Sequence, residues 1–180
     1  MSEFRRRYFP GGSYFFTVVT QDRVPIFREP SSVRLLGEVM RTVRGKYPFQ
    51  TIAVVVLPDH LHCVWSLPIG DTDYSGRWRW IKGAFTERWL SAVGRESTRS
   101  GSRERKGEHA VWQRRFWEHQ VRDEIDLERH VDYVHYNPVK HGYADRPADW
   151  PWTSFCRHVR LGQYPQEWGT NEPPRPLVGP

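Results

Sequence analysis

The stretch QTIAVVVLPDHLHCVWSLP, residues 50–68, constrains the fold most tightly. Its two apolar halves are separated by Pro58-Asp59, and short apolar runs bounded by turn residues read as strands. Proline and aspartate favour a turn, so the stretch reads as two strands joined at Pro58-Asp59. Successive side chains of a strand point to opposite faces. His60 and His62 therefore share one face, about 7 Å apart, and Leu61 and Cys63 share the other. Two imidazoles side by side in such a strand are either polar residues on a wet face or the holders of something between them. Imidazole is the commonest metal ligand, which makes a metal ion the specific reading.

The flanking segments extend the pattern. SYFFTVVT, about 13–20, is β-branched and aromatic and reads as a first strand. From Pro30, with serines as caps, Val33, Leu36, Val39, Met40 and Val43 form one helical stripe that stops before Pro48. A second helix spans YSGRWRWIKGAFTERWLSAV and carries Trp78, Ile81, Phe85, Trp89 and Leu90. GRESTRSGSRERKGE then reads as a polar, mostly basic loop, expected to be mobile. AVWQRRFWEHQVR predicts one or two further strands, and DEIDLERHVDYVHYNP a third helix, capped by Asp123 and ended by Pro138. Proline-rich sequence after Gly162 predicts an extended tail, so the expected division is a domain over 1–162 and a tail over 163–180. Strand–helix–strand–strand–helix–strand order fits an α+β fold of the ferredoxin-like type with a largely antiparallel sheet.

A chain of 180 residues suffices for one domain with a real core. A formal charge of +6 and nine tryptophans suit a nucleic-acid binder, because cations neutralise phosphates and flat rings stack on exposed bases. The two cysteines, Cys63 and Cys156, form neither a zinc motif nor a disulfide framework. With no signal peptide and no apolar run of membrane length, a cytoplasmic protein with no membrane partner is expected.

On the third helix, Leu127, Val131 and Val134 make the core stripe, while Asp126, His130, Tyr133 and Asn137 fall on a second stripe about a quarter turn away. Tyr133 and Asn137 are one turn apart, so they are neighbours on the helix surface. They are either part of a site that meets the imidazoles at the edge of the sheet or a wet tyrosine followed by a helix-stopping asparagine.

VLPDHLHCVWSLP, DYSGRWRWIKGAF, WQRRFWEHQVRDE and above all HVDYVHYNPVKHG closely resemble the REP-associated tyrosine transposases, single-tyrosine enzymes of the HUH nuclease superfamily. The resemblance runs from about Tyr8 to Trp168. It implies that His60 and His62 are metal ligands, Tyr133 the nucleophile and Asn137 the third ligand. It also implies a five-stranded antiparallel sheet covered by helices. The implied substrate is single-stranded DNA with REP palindromes, read as hairpins with flanking bases, and the implied ion is Mg2+ or Mn2+. Two imidazoles favour manganese of that pair on ligand softness. The implied chemistry suits the residue types. A phenol with a pKa of about 10 needs help to lose its proton. Its 5′-phosphotyrosine product conserves the phosphodiester bond energy, so rejoining requires no nucleotide cofactor. A cytoplasmic, nucleoid-associated monomer or homodimer is the corresponding expectation.

Further residues are assigned supporting roles. His130 and His119 stand as neighbours of the reacting group, and Arg122 as a phosphate contact. Arg5, Arg6, Arg7 and Tyr8 are candidates for reading bases beside a hairpin, since arginine–guanine pairing is the commonest specific contact. Arg77 and Lys82 are candidate DNA contacts on the tryptophan-rich second helix. Gly76 stands where the family suggests serine or threonine, which predicts a looser start to that helix. Two other readings use the same residues: a catalytically silent single-stranded DNA- or RNA-binding domain, and a metal-dependent hydrolase using water.

Overall fold

The computed structural model describes residues 9–92, 95–170 and 173–174. Strand β1 (Ser13–Val19) leads to helix α1 (Pro30–Lys46), then to the hairpin β2 (Gln50–Leu57) and β3 (His60–Ser66). Helix α2 (Tyr74–Ala92), the short α3 (Gly101–Arg105), β4 (Trp117–Gln120), α4 (Glu124–Lys140) and α5 (Phe155–Arg160) follow. The strands lie in the order β2-β3-β1-β4, with every neighbouring pair antiparallel. Strand alternation divides the core between two faces. Phe16, Val18, Leu61, Cys63 and Trp65 pack with α1 and α2, and Trp65 stacks on Trp78 at 4.3 Å. Phe15, Val55, Leu57 and Val64 pack with Val131 and Val134 of α4 on the opposite face.

Four strands occur among the described residues, not five. Two segments lie where strands would extend the sheet, and both stay too short. Trp112 makes a single bridge to Thr20. Residues 152–154 pair with β2 through Val56 N–H to the Trp152 carbonyl and Ser154 N–H to the Val54 carbonyl. Pro151, with no N–H to donate, and the start of α5 at Phe155 bracket that pairing and keep it from lengthening.

The expected mobile loop is held in place. Within it α3 buries Arg103, whose guanidinium donates to Gln21 Oε1 (2.8 Å) and the Trp112 carbonyl (2.9 Å). Glu96 accepts from Arg99 and from the Ala110 N–H (2.5 Å). Pro138 does not end α4, which continues to Lys140. A proline in the last turn forfeits only one backbone bond, and His141 N–H still donates to the Asn137 carbonyl. The residues just after Gly162 fold back rather than extend: Tyr164 meets His135 edge-on and packs at a tilt against Phe155, and Trp168 packs on Phe155 and Tyr164.

The start of α2 is firm. Asp73 Oδ1 accepts from the Gly76 N–H at 2.7 Å, a helix-capping bond. A Cβ at position 76 would fall 2.1 Å from Asp73 Oδ2, so glycine is the residue that leaves this cap its space. Arg77 is buried and corrects an expectation. It pairs with Asp71 (2.6 Å) and donates to the carbonyls of Tyr47, Pro48 and Asp73, tying the helix start to the α1–β2 connection instead of facing DNA. Lys82 donates to the Gln113 carbonyl at 2.7 Å and lies over the Phe116 ring. Arg5, Arg6, Arg7 and Tyr8 lie outside the described residues.

Candidate active site

His60 and His62 open β3 on the face covered by α4, with ring centroids 4.9 Å apart and both side chains buried. Each ring is held by its Nδ1. His60 Nδ1 lies 2.5 Å from Asp59 Oδ1, in the turn that precedes the strand. His62 Nδ1 lies 2.9 Å from Thr17 Oγ1, its register partner on β1. Nε2 is therefore the nitrogen left on each ring to bind something else. Burial pushes the His62 imidazole well below its ordinary range, and neighbouring His60, His141 and Lys140 push it further. Burial lowers His60 too, against the opposing effect of the Asp59 carboxylate. Both rings thus favour the neutral form, which carries the lone pair a metal needs.

Helix α4 brings its second stripe to this pair. Tyr133 meets His62 edge-on at 5.2 Å, and Phe15 packs between the elements at 5.4 Å from His62 and 5.8 Å from Tyr133. One turn further, Asn137 is fully buried, and neither Oδ1 nor Nδ2 has a hydrogen-bond partner. A buried amide left unpaired costs about 1–3 kcal/mol, which a ligand at its oxygen offsets. The neutral imidazoles of His60 and His62 and the unpaired amide oxygen of Asn137 are each chemically suited to ligate a divalent ion.

Three neighbours escaped the sequence reading. Lys140 places its ammonium 4.8 Å from the Tyr133 ring centroid, and the His141 ring lies 5.6 Å from that of His60. Thr17 looked like one more strand residue. The lysine and histidine follow Asn137 within one turn, and that spacing was the available signal. Nothing in the sequence pointed to Thr17, because its role depends on strand register.

His119, Asp126 and His130 form a second group, across Phe15 from His62. His119 Nε2 lies 2.9 Å from Asp126 Oδ2, and the His119 and His130 rings stack at 4.6 Å. Arg122 donates to the same carboxylate at 3.2 Å while its side chain stays largely exposed. Burial alone would raise the Asp126 carboxyl, but its bonds to His119 and Arg122 outweigh that and hold it well below the usual carboxylate range. A cleft between α2 and residues 103–116 lies on the other side of the sheet, away from the imidazole–phenol site.

No protein-family model matches the chain. A REP-associated tyrosine transposase of Escherichia coli K12 is 42% identical over 168 residues, covering 93% of this chain and 91% of that protein. A Haemophilus influenzae protein of the same family name is 43% identical over 171 residues, 95% of each chain. Among solved structures, a REP-associated tyrosine transposase bound to a REP hairpin superposes with a TM-score of 0.79 at 38% identity, covering 99% of this chain and all of that one. Identity at this level over nearly the whole length shows that the chain belongs to the REP-associated tyrosine transposase family.

Proposed function

We propose that this enzyme cleaves and rejoins single-stranded DNA next to a REP-type hairpin, with Tyr133 as the nucleophile. The observation that carries the reading is the approach of the Tyr133 ring to His62, which brings a phenol and an imidazole pair together from separate elements. The related chain bound to a REP hairpin supports the substrate class. In this reading the phenol oxygen attacks the scissile phosphorus in line, the bond from phosphorus to the 3′ oxygen breaks, and a proton passes to the departing 3′-hydroxyl. The 5′ side stays on Tyr133 as a phosphodiester, and a 3′-hydroxyl attacking that bond runs the step backwards.

His60, His62 and Asn137 would hold the divalent ion, Mn2+ or Mg2+, and Asp59 and Thr17 would keep both Nε2 atoms aimed at it. When bound, the ion supplies charge neutralisation on the phosphoryl oxygens. Lys140 adds a positive charge beside the phenol, which favours the phosphate's approach. Arg122, exposed and anchored by Asp126, presents a further guanidinium to the DNA backbone.

Incubation with single-stranded REP-hairpin DNA and Mn2+ should yield a denaturation-resistant adduct that maps to Tyr133. Tyr133→Phe keeps the ring and removes the hydroxyl, so it should abolish the adduct while hairpin binding stays within about twofold. An adduct formed normally by this variant would exclude Tyr133. Metal-dependent cleavage without any adduct would indicate a hydrolase, and binding with no cleavage a silent binding domain.

A further inference from the structure

We infer that His119, Asp126 and His130 form a second divalent-cation site, which clamps edge strand β4 to helix α4 beside the nucleophile. This inference adds to the proposed function but does not require the His60–His62 pair to bind metal. Among the described residues, these three are the only histidine, cysteine or acidic side chains whose donor atoms gather within 4.8 Å of one another.

The geometry is that of a carboxylate between two imidazoles. Asp126 turns Oδ2 to His119 Nε2 at 2.9 Å and Oδ1 to His130 Nδ1 at 3.3 Å. Ligand atoms around one ion at about 2.1 Å sit roughly 3 Å apart, so a small closure suffices. Asp126 and His130 are buried and His119 is half-buried, which preorganises the donors. Two nitrogens and one carboxylate oxygen suit zinc-like transition ions better than Mg2+, which favours all-oxygen sites. His130 Nδ1 also lies 2.7 Å from the Asp126 carbonyl, so binding through that atom exchanges one existing bond for a stronger one. Arg122 competes for the same carboxylate, but its exposed side chain is free to swing aside.

The position gives the site a consequence. His119 lies on the edge strand, and His130 lies three residues before Tyr133 on α4. An ion tying the two together fixes the helix that carries the nucleophile against the sheet. The site therefore acts on Tyr133 by positioning.

The test uses the intact chain stripped of metal and titrated with Co2+, whose visible absorption reports bound ions, with Zn2+ as competitor. Wild type should bind two ions per chain, and His60→Ala/His62→Ala should retain one that still raises the melting temperature. Adding His119→Ala/His130→Ala to that variant should abolish the remaining ion. Asp126→Asn, which keeps the side-chain shape, should weaken this site at least tenfold and serves as the control for folding. Arg122→Ala should tighten it about two- to fivefold, the worth of one exposed competing ion pair. Loss of all bound metal in His60→Ala/His62→Ala would overturn the inference. So would an ion in that variant which the His119 and His130 substitutions fail to remove. One ion in wild type that survives in His60→Ala/His62→Ala would instead remove the metal role of the imidazole pair and leave this site standing.

Discussion

Thr17 Oγ1 and His62 Nδ1 face each other at 2.9 Å across the β1–β3 pair, where the two residues are direct register partners. The contact fixes the rotation of the His62 ring and leaves its Nε2 to ligate. Such supporting bonds typically contribute ten- to a hundredfold to metal affinity. Thr17→Val keeps the β-branched shape and removes the hydroxyl. It should raise the Mn2+ concentration needed for half-maximal cleavage by about tenfold or more, with the fold intact by circular dichroism. An unchanged Mn2+ titration would show that Thr17 does not set the ring.

Asn137 separates a ligand from a helix residue. Asn137→Ala should raise the Mn2+ requirement and lower the maximal rate about tenfold or more, while Asn137→Asp keeps an oxygen donor and retains measurable activity. Because both amide atoms are unpaired in the protein, Asn137→Ala should cost little stability: relief of the orphaned amide offsets the small cavity it leaves. Identical metal titrations for all three proteins would move the third ligand elsewhere.

Arg77 predicts a loss of stability instead of a loss of DNA affinity. Its guanidinium is buried and bonds to Asp71 and three backbone carbonyls, so Arg77→Ala leaves those acceptors unpaired. Urea unfolding should report a loss of about 2–4 kcal/mol. The folded fraction should bind hairpin DNA as wild type does. Unchanged stability with weakened binding would restore the DNA-contact reading.

His135 makes stability depend on pH. It is buried against Ser154, His158, Arg157 and Tyr164, and burial, with the nearby His158 and Arg157 charges, pushes its imidazole down to about 3. Between about pH 6.5 and 3 the unfolded chain binds a proton here that the native chain does not. Its contribution to stability is full above about pH 6.5 and is lost as the pH falls, at up to about 1.4 kcal/mol per unit. His135→Gln should flatten the stability–pH curve between pH 6 and 4.5 by up to that slope, read by urea unfolding at each pH. Parallel curves would show that the native imidazole accepts the proton.

The α+β order was legible because each element announced itself locally. The Pro58-Asp59 turn and the alternation of His60 and His62 with Leu61 and Cys63 placed both imidazoles on one face of a hairpin strand, as observed. The stripe carrying Tyr133 and Asn137 followed from a rotation of 100° per residue. The strand count was not legible, because residues 152–154 bond to β2 like a strand and are stopped by proline and helix, a limit no propensity expresses. Arg77 was misread for a related reason: a guanidinium looks the same in sequence whether it meets a phosphate or Asp71.

By itself the sequence determined which chemical groups exist and which of them share a face within one element, since both follow from fixed local geometry. Only the tertiary structure decided what stands between elements: Thr17 behind His62, Tyr133 edge-on to that ring, His141 beside His60, and Asp126 between His119 and His130. The physical reason is register and packing. A strand slipped by one residue against its neighbour keeps the same local pattern but exchanges every cross-strand partner. The position of α4 over the sheet is set by Phe15, Val64, Val131 and Val134 in a shared core, so its chemistry was assembled by apolar contacts far apart in the chain.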